Sequence, residues 1–257
     1  MISPAQLEAS GLRLDISDAV ATLTLNRPER RNAMTPAVWR GLAAIGAELP
    51  ARVRVVVVRG AGQSFCSGID LRLFSAEGAP GEEGMDVADP ELEARLAAWQ
   101  RGFLWLRDPG IVSVAAVQGH AIGAGFQLAL ACDLRILADD AKLAMKEPAL
   151  GLVPDLTGTK PLVEIVGRPR AIELCLTARV VPADEAARLG LAELVVPAAD
   201  LDGAVADLTA ALLATDPAAA RATKRLLAQA AANTLEQQAE TERAEQVALL
   251  RAKFAGR

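Results

Sequence analysis

Two segments of the chain place glycine and other small residues directly after an apolar run. They are "VVVVRGAGQSFCSGIDL", residues 55–71, and "VAAVQGHAIGAGFQLAL", residues 114–130. Each one reads as a strand, a glycine-containing loop and then a helix-like stretch. Backbone N–H groups at a helix start have no partner within the helix, and glycine lets other atoms approach the backbone closely. We therefore expect the two segments to present N–H groups that converge on one oxygen atom.

Other catalytic and nucleotide-binding motifs are poorly supported. His120 is the single histidine and a candidate general base, but no G-x-S-x-G motif or Ser-His-Asp spacing accompanies it, so a loop residue is the favoured interpretation. Gly123 and Gly125 weakly resemble a dinucleotide-binding turn, but Leu128 occupies the third glycine position. A Walker A motif is also missing.

The composition limits the classes of function. The 257 residues are 52% hydrophobic, which is enough for one large domain, or one domain with an appendage. A net charge of −5 argues against nucleic-acid and anionic-membrane partners, and the absence of tyrosine argues against base stacking. The three cysteines are widely spaced in apolar surroundings, so we expect neither disulfides nor a metal site. With no apolar run of membrane-spanning length and no signal-peptide pattern, these features predict a cytoplasmic protein.

Short apolar runs alternate with helical patterns along the N-terminal part of the chain, which predicts an α/β fold. Residues 20–26 alternate with a period of two, and residues 53–60 and 111–119 form continuous β-branched or small apolar runs. A helix is predicted to begin at Pro36 with Thr35 as its N-cap.

Alanine-rich helical patterns dominate from residue 198 onward. We therefore divide the chain into a core, residues 1–197, and a C-terminal helical region, residues 198–257. The predicted helix starts are Asp200 or Asp202, the Asp216-Pro217 pair, and Thr234, which forms a capping-box pattern with Gln237.

The segment "FSAEGAPGEEGMDVADPELEARL", residues 74–96, begins with glycine, proline and acidic residues. Its first half is predicted to be a mobile surface loop. It is either a lid over a site or a plain excursion of the chain, and the plain excursion is favoured.

Three motifs together resemble the crotonase family, the enoyl-CoA hydratases and isomerases. They are "LNRPERRNAM" at residues 25–34, "SFCSGIDL" at 64–71 and "GHAIGAGFQLALACDLRILADDAKLAMKEPALGLVPDLTGT" at 119–159. The resemblance extends over nearly the whole chain, and the combination of the three motifs is specific. It implies the crotonase spiral of ββα repeats, with C-terminal helices that build a homotrimer, often paired into a hexamer.

The resemblance also implies the ligand, an acyl-CoA thioester that is the substrate, with no metal or further cofactor. Its carbonyl oxygen would lie between the backbone N–H groups of Ile69 and Ala124. Such an oxyanion hole stabilises the enolate that forms when a proton leaves the acyl chain. Gly68 and Gly123 would let the thioester approach these two donors.

Proton transfer distinguishes the possible reactions. The family's hydratases resemble one another in two glutamates, and the matching positions here are Gln127 and Glu147. An amide cannot act as a proton shuttle in catalysis at neutral pH, whereas one carboxylate suffices to move a double bond. The resemblance thus favours an isomerase with Glu147 as the acid/base. The alternatives are a hydratase, in which Gln127 orients the water that Glu147 activates, and a non-catalytic acyl-CoA binding protein.

Asp155 lies eight residues after Glu147. It matches an aspartate with which the family's dienoyl-CoA isomerases act at the far end of a diene, although those enzymes also carry an aspartate where this chain has Gln127. An N-cap for the following helix is an equally supported interpretation of Asp155.

Further candidates for contact with the CoA thioester flank the oxyanion segments. The resemblance places Ser67 and Asp70 beside Ile69, and it places the two arginines Arg30 and Arg72 along the CoA moiety. For Arg30 and Arg72, a solvated surface charge is at least as well supported.

Overall fold

The strands of the molecule form two sheets. The computed structural model describes residues 3–75 and 87–255. The strands are β1 (Leu12–Ser17), β2 (Val20–Leu25), β3 (Val55–Gly60), β4 (Val112–Val117), β5 (His120–Ile122), β6 (Leu134–Ala138), β7 (Lys142–Ala144), β8 (Val181–Pro182) and β9 (Leu194–Val196).

The helices lie between and after these strands. They are α1 (Pro4–Ala9), α2 (Pro36–Glu48), α3 (Asp89–Leu104), α4 (Ala124–Ala131), α5 (Thr159–Thr177), α6 (Ala183–Arg188), α7 (Leu201–Ala214), α8 (Pro217–Ala230) and α9 (Leu235–Phe254). Helix α5 is interrupted at Gly167, whose φ of 73° is not helical. Short 3-10 turns include Leu71–Phe74 and Glu147–Leu150.

The larger sheet has the order β1-β2-β3-β4-β6-β9, and the smaller one has the order β5-β7-β8. In the larger sheet β1 pairs with β2 in an antiparallel manner, and the other neighbours are parallel. The predicted α/β class is confirmed, and strands occupy the three regions in which the apolar patterns placed them. The carboxyl ends of β3 and β4 lead into the two glycine-containing loops.

The continuous valine run of β3 follows from burial on both faces of the sheet. Val56 and Val58 face the main core, whereas Val55 and Val57 belong to a second apolar cluster that includes Leu201 of α7. Helix α7 contacts β3, β4 and β6. The first helix after residue 197 is therefore packed on the core sheet, and the division of the chain into two regions at this residue stays a prediction.

The predicted helix starts are largely confirmed. Asp216 accepts hydrogen bonds from the backbone N–H groups of residues 218 and 219, and Thr234 forms the capping box with Gln237. Thr35 and Asp200 occupy the N-cap positions of α2 and α7, but their side chains make no capping hydrogen bond. Most of the predicted loop, residues 76–86, lies outside the described residues, and the second half of that segment begins α3.

Helix α8 is attached to the core through a cluster of charge-assisted hydrogen bonds. The Lys224 ammonium donates to Asp133 Oδ2 at 2.7 Å and to the carbonyl oxygens of Asp108 and Ile111. The same Asp133 oxygen accepts hydrogen bonds from the backbone and side chain of Ser113. Both ionic side chains are largely buried, at 16% and 21% exposure. This cluster joins α8 to the loop before β4.

Replacement of Asp133 should therefore destabilise the protein. We expect Asp133→Asn to lower the free energy of unfolding by about 1–3 kcal/mol, because a buried ammonium loses its carboxylate partner. Urea unfolding measures the effect. Asp184→Asn is the matched control, since the Asp184–Arg188 pair is exposed and should contribute little. Equal effects of the two changes would contradict the prediction.

Candidate active site

The two glycine-containing loops meet in the folded chain, as the sequence predicts. Cys66 and Ala121 form a short parallel bridge, in which the Cys66 N–H donates to the His120 carbonyl at 2.7 Å and the Ile122 N–H to the Cys66 carbonyl at 2.9 Å. A Cβ atom on Gly68 would lie 2.9 Å from the Ile122 oxygen, and Gly68 has a φ of 99°. Only glycine fits this close approach without strain.

Two backbone donors are left free at this junction. Among the described residues, neither the Ile69 N–H nor the Ala124 N–H donates a hydrogen bond. Ala124 is the first residue of α4, where an N–H has no partner within the helix. Both residues line the same cavity. The arrangement provides two neighbouring donors for an oxygen atom of a ligand.

The loop at residues 27–34 supports this junction from behind. Asn32 is buried, accepts a hydrogen bond from the Arg27 N–H and donates to the carbonyl oxygens of Ala61 and Ser64. The Met34 N–H donates to the Gly68 carbonyl, and the Asp70 N–H to that of Met34. The "NRPERRNA" motif therefore has a structural role in fixing the Ile69 segment.

Glu147 begins a 3-10 turn beside α4 and is 8% exposed. Its Oε1 accepts a hydrogen bond from Gln127 Nε2 at 2.6 Å, whereas its buried Oε2 has no partner. A Cβ atom on Gly123 would lie 3.1 Å from Oε1. Burial raises the pKa of Glu147, and the nearby Asp155 carboxylate raises it further, although hydrogen bonds from backbone N–H groups and Gln127 oppose the shift. Glu147 thus lines the cavity and keeps one buried carboxylate oxygen without a hydrogen-bond partner.

Gln127 lies behind Glu147 and is fully buried. Its Oε1 accepts hydrogen bonds from the backbone N–H groups of Leu156 at 2.9 Å and Gly158 at 3.2 Å. The cavity is lined by Glu147 and Asp155, whereas Gln127 is not among its lining residues. The predicted site residue Gln127 is therefore adjacent to the acid/base candidate Glu147 but does not itself line the cavity.

Asp155 lines the cavity and is half-buried, and burial raises its pKa. The alternative interpretation of Asp155 as a helix N-cap is wrong, because α5 begins at Thr159 and its N-cap is Gly158. The Asp155 carbonyl accepts a hydrogen bond from Gln100 of α3. The structure therefore brings Glu147 and Asp155 to one cavity.

The cavity has a volume of about 510 Å³. Most of its wall is apolar and is formed by Trp39, Leu71, Phe74, Leu92, Leu96, Trp99, Ile122, Ala149, Leu150, Leu152, Val153 and Leu156. The rings of Trp39 and Trp99 are in contact, with centroids 4.8 Å apart. Neither tryptophan could be predicted as a site residue from the sequence, because aromatic residues in two helical patterns are equally typical of an ordinary core. Their spacing along the chain carried no signal of a shared site.

The remaining predicted ligand contacts divide into two groups. Ser67, Gly68 and Gly123 line the cavity. Asp70 instead caps the 3-10 turn at Leu71–Phe74 and pairs with Arg72 at 2.6 Å and with Arg27 at 3.1 Å.

These two arginines hold the pKa of Asp70 far below its ordinary range. Arg72 is thus committed to Asp70 and does not line the cavity, and neither does Arg30, which is exposed.

His120 belongs to a different place in the fold. Its Nδ1 lies 3.1 Å from Ser64 Oγ, and both residues line a second cavity that excludes Glu147. Across residues 3–75 and 87–255, no cluster of His, Cys, Asp and Glu has a metal-binding arrangement. None of the described helices combines the length and apolar character that a bilayer crossing requires.

Comparison with known proteins identifies the family. The family model for enoyl-CoA hydratase/isomerase matches residues 15–253. The chain therefore belongs to the enoyl-CoA hydratase/isomerase family of enzymes, within the crotonase superfamily, and it has the crotonase fold. The mitochondrial Delta(3,5)-Delta(2,4)-dienoyl-CoA isomerase of Pongo abelii is 35% identical over an alignment of 243 positions that covers 86% of this chain and 74% of that protein.

Solved structures show the same relationship. A Thermobifida fusca YX protein that is named among the enoyl-CoA hydratases is 58% identical in its complex with CoA, with a TM-score of 0.96 over 100% of this chain and 98% of that one. Its complex with acetoacetyl-CoA gives 58% identity and a TM-score of 0.95 over 97% of this chain and 98% of that one.

The buried carboxyl of Glu147 should make stability depend on pH. Below its ordinary pKa of 4.5 the carboxyl is neutral in both states. Above pH 4.5 the carboxyl of the unfolded chain ionises in water, whereas ionisation in the folded protein requires a buried charge. The wild type therefore loses stability as the pH rises toward and through the raised folded pKa of Glu147. We expect the stability of Glu147→Gln relative to the wild type to increase as the pH rises above 4.5, until the folded carboxyl itself ionises.

Chemical unfolding at a series of pH values measures this difference. Glu164→Gln, on the exposed face of α5, is the control and should give a curve parallel to the wild type. A curve for Glu147→Gln that also runs parallel to the wild type would contradict the expected burial cost.

Proposed function

We propose that the protein shifts a double bond in an enoyl-CoA or dienoyl-CoA. The observation that carries this proposal is Glu147, which has a buried, unpaired Oε2 and lines an apolar cavity together with the two free backbone donors of Ile69 and Ala124. A carboxylate in such a position is suited to remove a proton from carbon. The two donors would stabilise the negative charge that then develops on the thioester oxygen.

The reaction needs only one base when a 3-enoyl-CoA becomes a 2-enoyl-CoA. Glu147 would take a proton from C2, and the electron pair would move into a dienolate whose charge lies on the thioester oxygen. That oxygen would accept hydrogen bonds from the N–H groups of Ile69 and Ala124. Glu147 would then return the proton to C4, so that the product is an isomer of the substrate and no other reactant is consumed.

Asp155 extends the same chemistry to a diene. A 3,5-dienoyl-CoA becomes a 2,4-dienoyl-CoA when the proton that leaves C2 is replaced by one at C6. A second carboxyl that lines the same cavity is suited to deliver that proton. The similarity to the dienoyl-CoA isomerase of Pongo abelii supports this assignment.

The acyl-CoA substrate class is supported by the Thermobifida fusca structures, which contain CoA and acetoacetyl-CoA. In this chain the cavity wall around Trp39 and Trp99 suits an apolar acyl group, because few polar groups there would lose hydration. We also propose that the C-terminal helices assemble the chain into a homotrimer or a hexamer. Exposed apolar side chains on α8 and α9, among them Leu227, Leu235 and Leu250, support such an assembly.

Hydration of a 2-enoyl-CoA is the second candidate function. It would need Gln127 to orient the water that Glu147 activates. Gln127 instead is fully buried and does not line the cavity, and its amide is engaged with Leu156, Gly158 and Glu147. This geometry disfavours hydration. Turnover of an acyl-CoA thioester separates the isomerase from the third alternative, a protein that only binds acyl-CoA.

A panel of thioesters tests the reaction. We expect the purified protein to convert 3-enoyl-CoA and 3,5-dienoyl-CoA into isomers of unchanged mass, and to add water to 2-enoyl-CoA much more slowly. Chromatography with mass spectrometry separates the outcomes, because hydration adds the mass of one water. Hydration at a rate comparable to isomerisation would overturn the isomerase assignment.

Variants of the two carboxyl groups test the assigned roles. Glu147→Gln should lower turnover of 3-enoyl-CoA by about 10²–10⁴-fold with thioester binding retained, because the base is lost. Asp155→Asn should slow the 3,5-dienoyl shift more than the 3-enoyl shift. Turnover is followed by product formation and binding by calorimetry, with Glu164→Gln as the control. Full turnover in Glu147→Gln would show that this residue is not the base.

A further inference from the structure

The orientation of the Gln127 amide is fixed by its neighbours. The backbone N–H groups of Leu156 and Gly158 both point to one end of the amide, at 2.9 and 3.2 Å. Because two donors require an acceptor, that end is the carbonyl oxygen. The other end is therefore the NH₂ group, which donates to Glu147 Oε1 at 2.6 Å. A chain of hydrogen bonds runs from the loop before α5, through Gln127, to Glu147.

The loop that contains Asp155 is shaped by the same amide. Leu156 directly follows Asp155, and Thr157 adopts a left-handed φ of 70°. Gly158 packs directly on Gln127, since a Cβ atom at this glycine would lie 2.6 Å from the Gln127 Cγ. One side chain thus fixes both the Glu147 carboxyl and the backbone next to Asp155.

We propose that Gln127 is a positioning residue. It donates a hydrogen bond that keeps Glu147 an acceptor, and it fixes the position of the loop carrying Asp155 relative to Glu147. The inference rests on the proposed function, because these two carboxyls are the proposed proton carriers. The Gln127 amide would thus have a role that a glutamate at residue 127, although of nearly the same shape, could not perform.

The reason lies in the charge that a glutamate would bring to residue 127. Its first oxygen would accept the two backbone N–H bonds, and its second would face Glu147 Oε1 at hydrogen-bond distance. Two carboxylates so close share a proton. The two N–H donors favour the charge on residue 127, so the proton would reside on Glu147. Glu147 would then be protonated at a pH at which it is the ionised base in the wild type.

The test is Gln127→Glu, followed by two independent measurements. The acid limb of the kcat/KM profile for 3-enoyl-CoA should move to higher pH by at least one unit. At a pH below the limb, kcat/KM should therefore fall at least tenfold, and at alkaline pH it should recover. The titration of Glu147, obtained by infrared difference between each protein and its E147Q counterpart, should move in the same direction. Gln229→Glu, on the exposed surface of α8, is the control for added charge and should move neither.

The double variant Gln127→Glu with Glu147→Gln adds a test of folding. It restores the hydrogen bond with donor and acceptor exchanged, so we expect it to be folded, as shown by its thermal transition, and inactive.

If the infrared titration moves but the wild type isomerises no enoyl-CoA, the proposed function fails and the positioning role stands. If the wild type is active and neither measurement moves in Gln127→Glu, or if Gln127→Glu gains hydration without a moved acid limb, the positioning role is overturned.

Discussion

The close approach of two loop backbones is the constraint on which the site depends. The Cys66–Ala121 bridge joins the chain segments that follow the paired strands β3 and β4, and Ile69 and Ala124 line one cavity. Gly125 has no room for a side chain, because its Cβ atom would lie 2.6 Å from Cys66 Cβ. Any larger residue there would push the loops apart. In the proposed reaction both donors would contribute to the same thioester oxygen, so their value depends on their being held as a pair.

Ion pairs beside this junction fix the loop that carries the Ile69 N–H. Asp70 follows Ile69 directly and is held by Arg27 and Arg72, while the Arg27 guanidinium also donates to the Ala33 carbonyl. The arginine pairs therefore stabilise the donor loop. This explains why Asp70 and Arg72, which the family resemblance suggested as contacts for CoA, instead pair with each other within the protein. A loop fixed in this way loses little further entropy when a ligand binds.

Much of the fold could be predicted from the sequence, and the geometry of the site only in part. The valine run of β3 predicted a strand covered on both sides, because this pattern is local in the sequence. Asp216 and Thr234 predicted the starts of their helices for the same reason, since each caps backbone N–H groups two or three residues further along. Asp155 was ambiguous because the true helix start depends on the left-handed Thr157 and on bonds to Gln127.

The hydrogen bonds from the Leu156 and Gly158 N–H groups to Gln127 join residues that are 29 and 31 positions apart in the sequence. The contact between Trp39 and Trp99 is likewise a product of the packing of α2 and α3. Contacts of this kind leave no periodic pattern in the sequence.

The number of carboxyl groups that one apolar cavity can hold links stability to function. Glu147 and Asp155 both have a raised pKa because both are buried, and each ionised carboxylate makes the second one harder to ionise. A third carboxyl at residue 127 would add to this cost in the interior. The neutral amide supplies the required donor and acceptor without adding charge. Among the described carboxyl and amide groups of this cluster, Glu147 Oε2 is a buried oxygen without a hydrogen-bond partner, and the proposed function gives a reason for it.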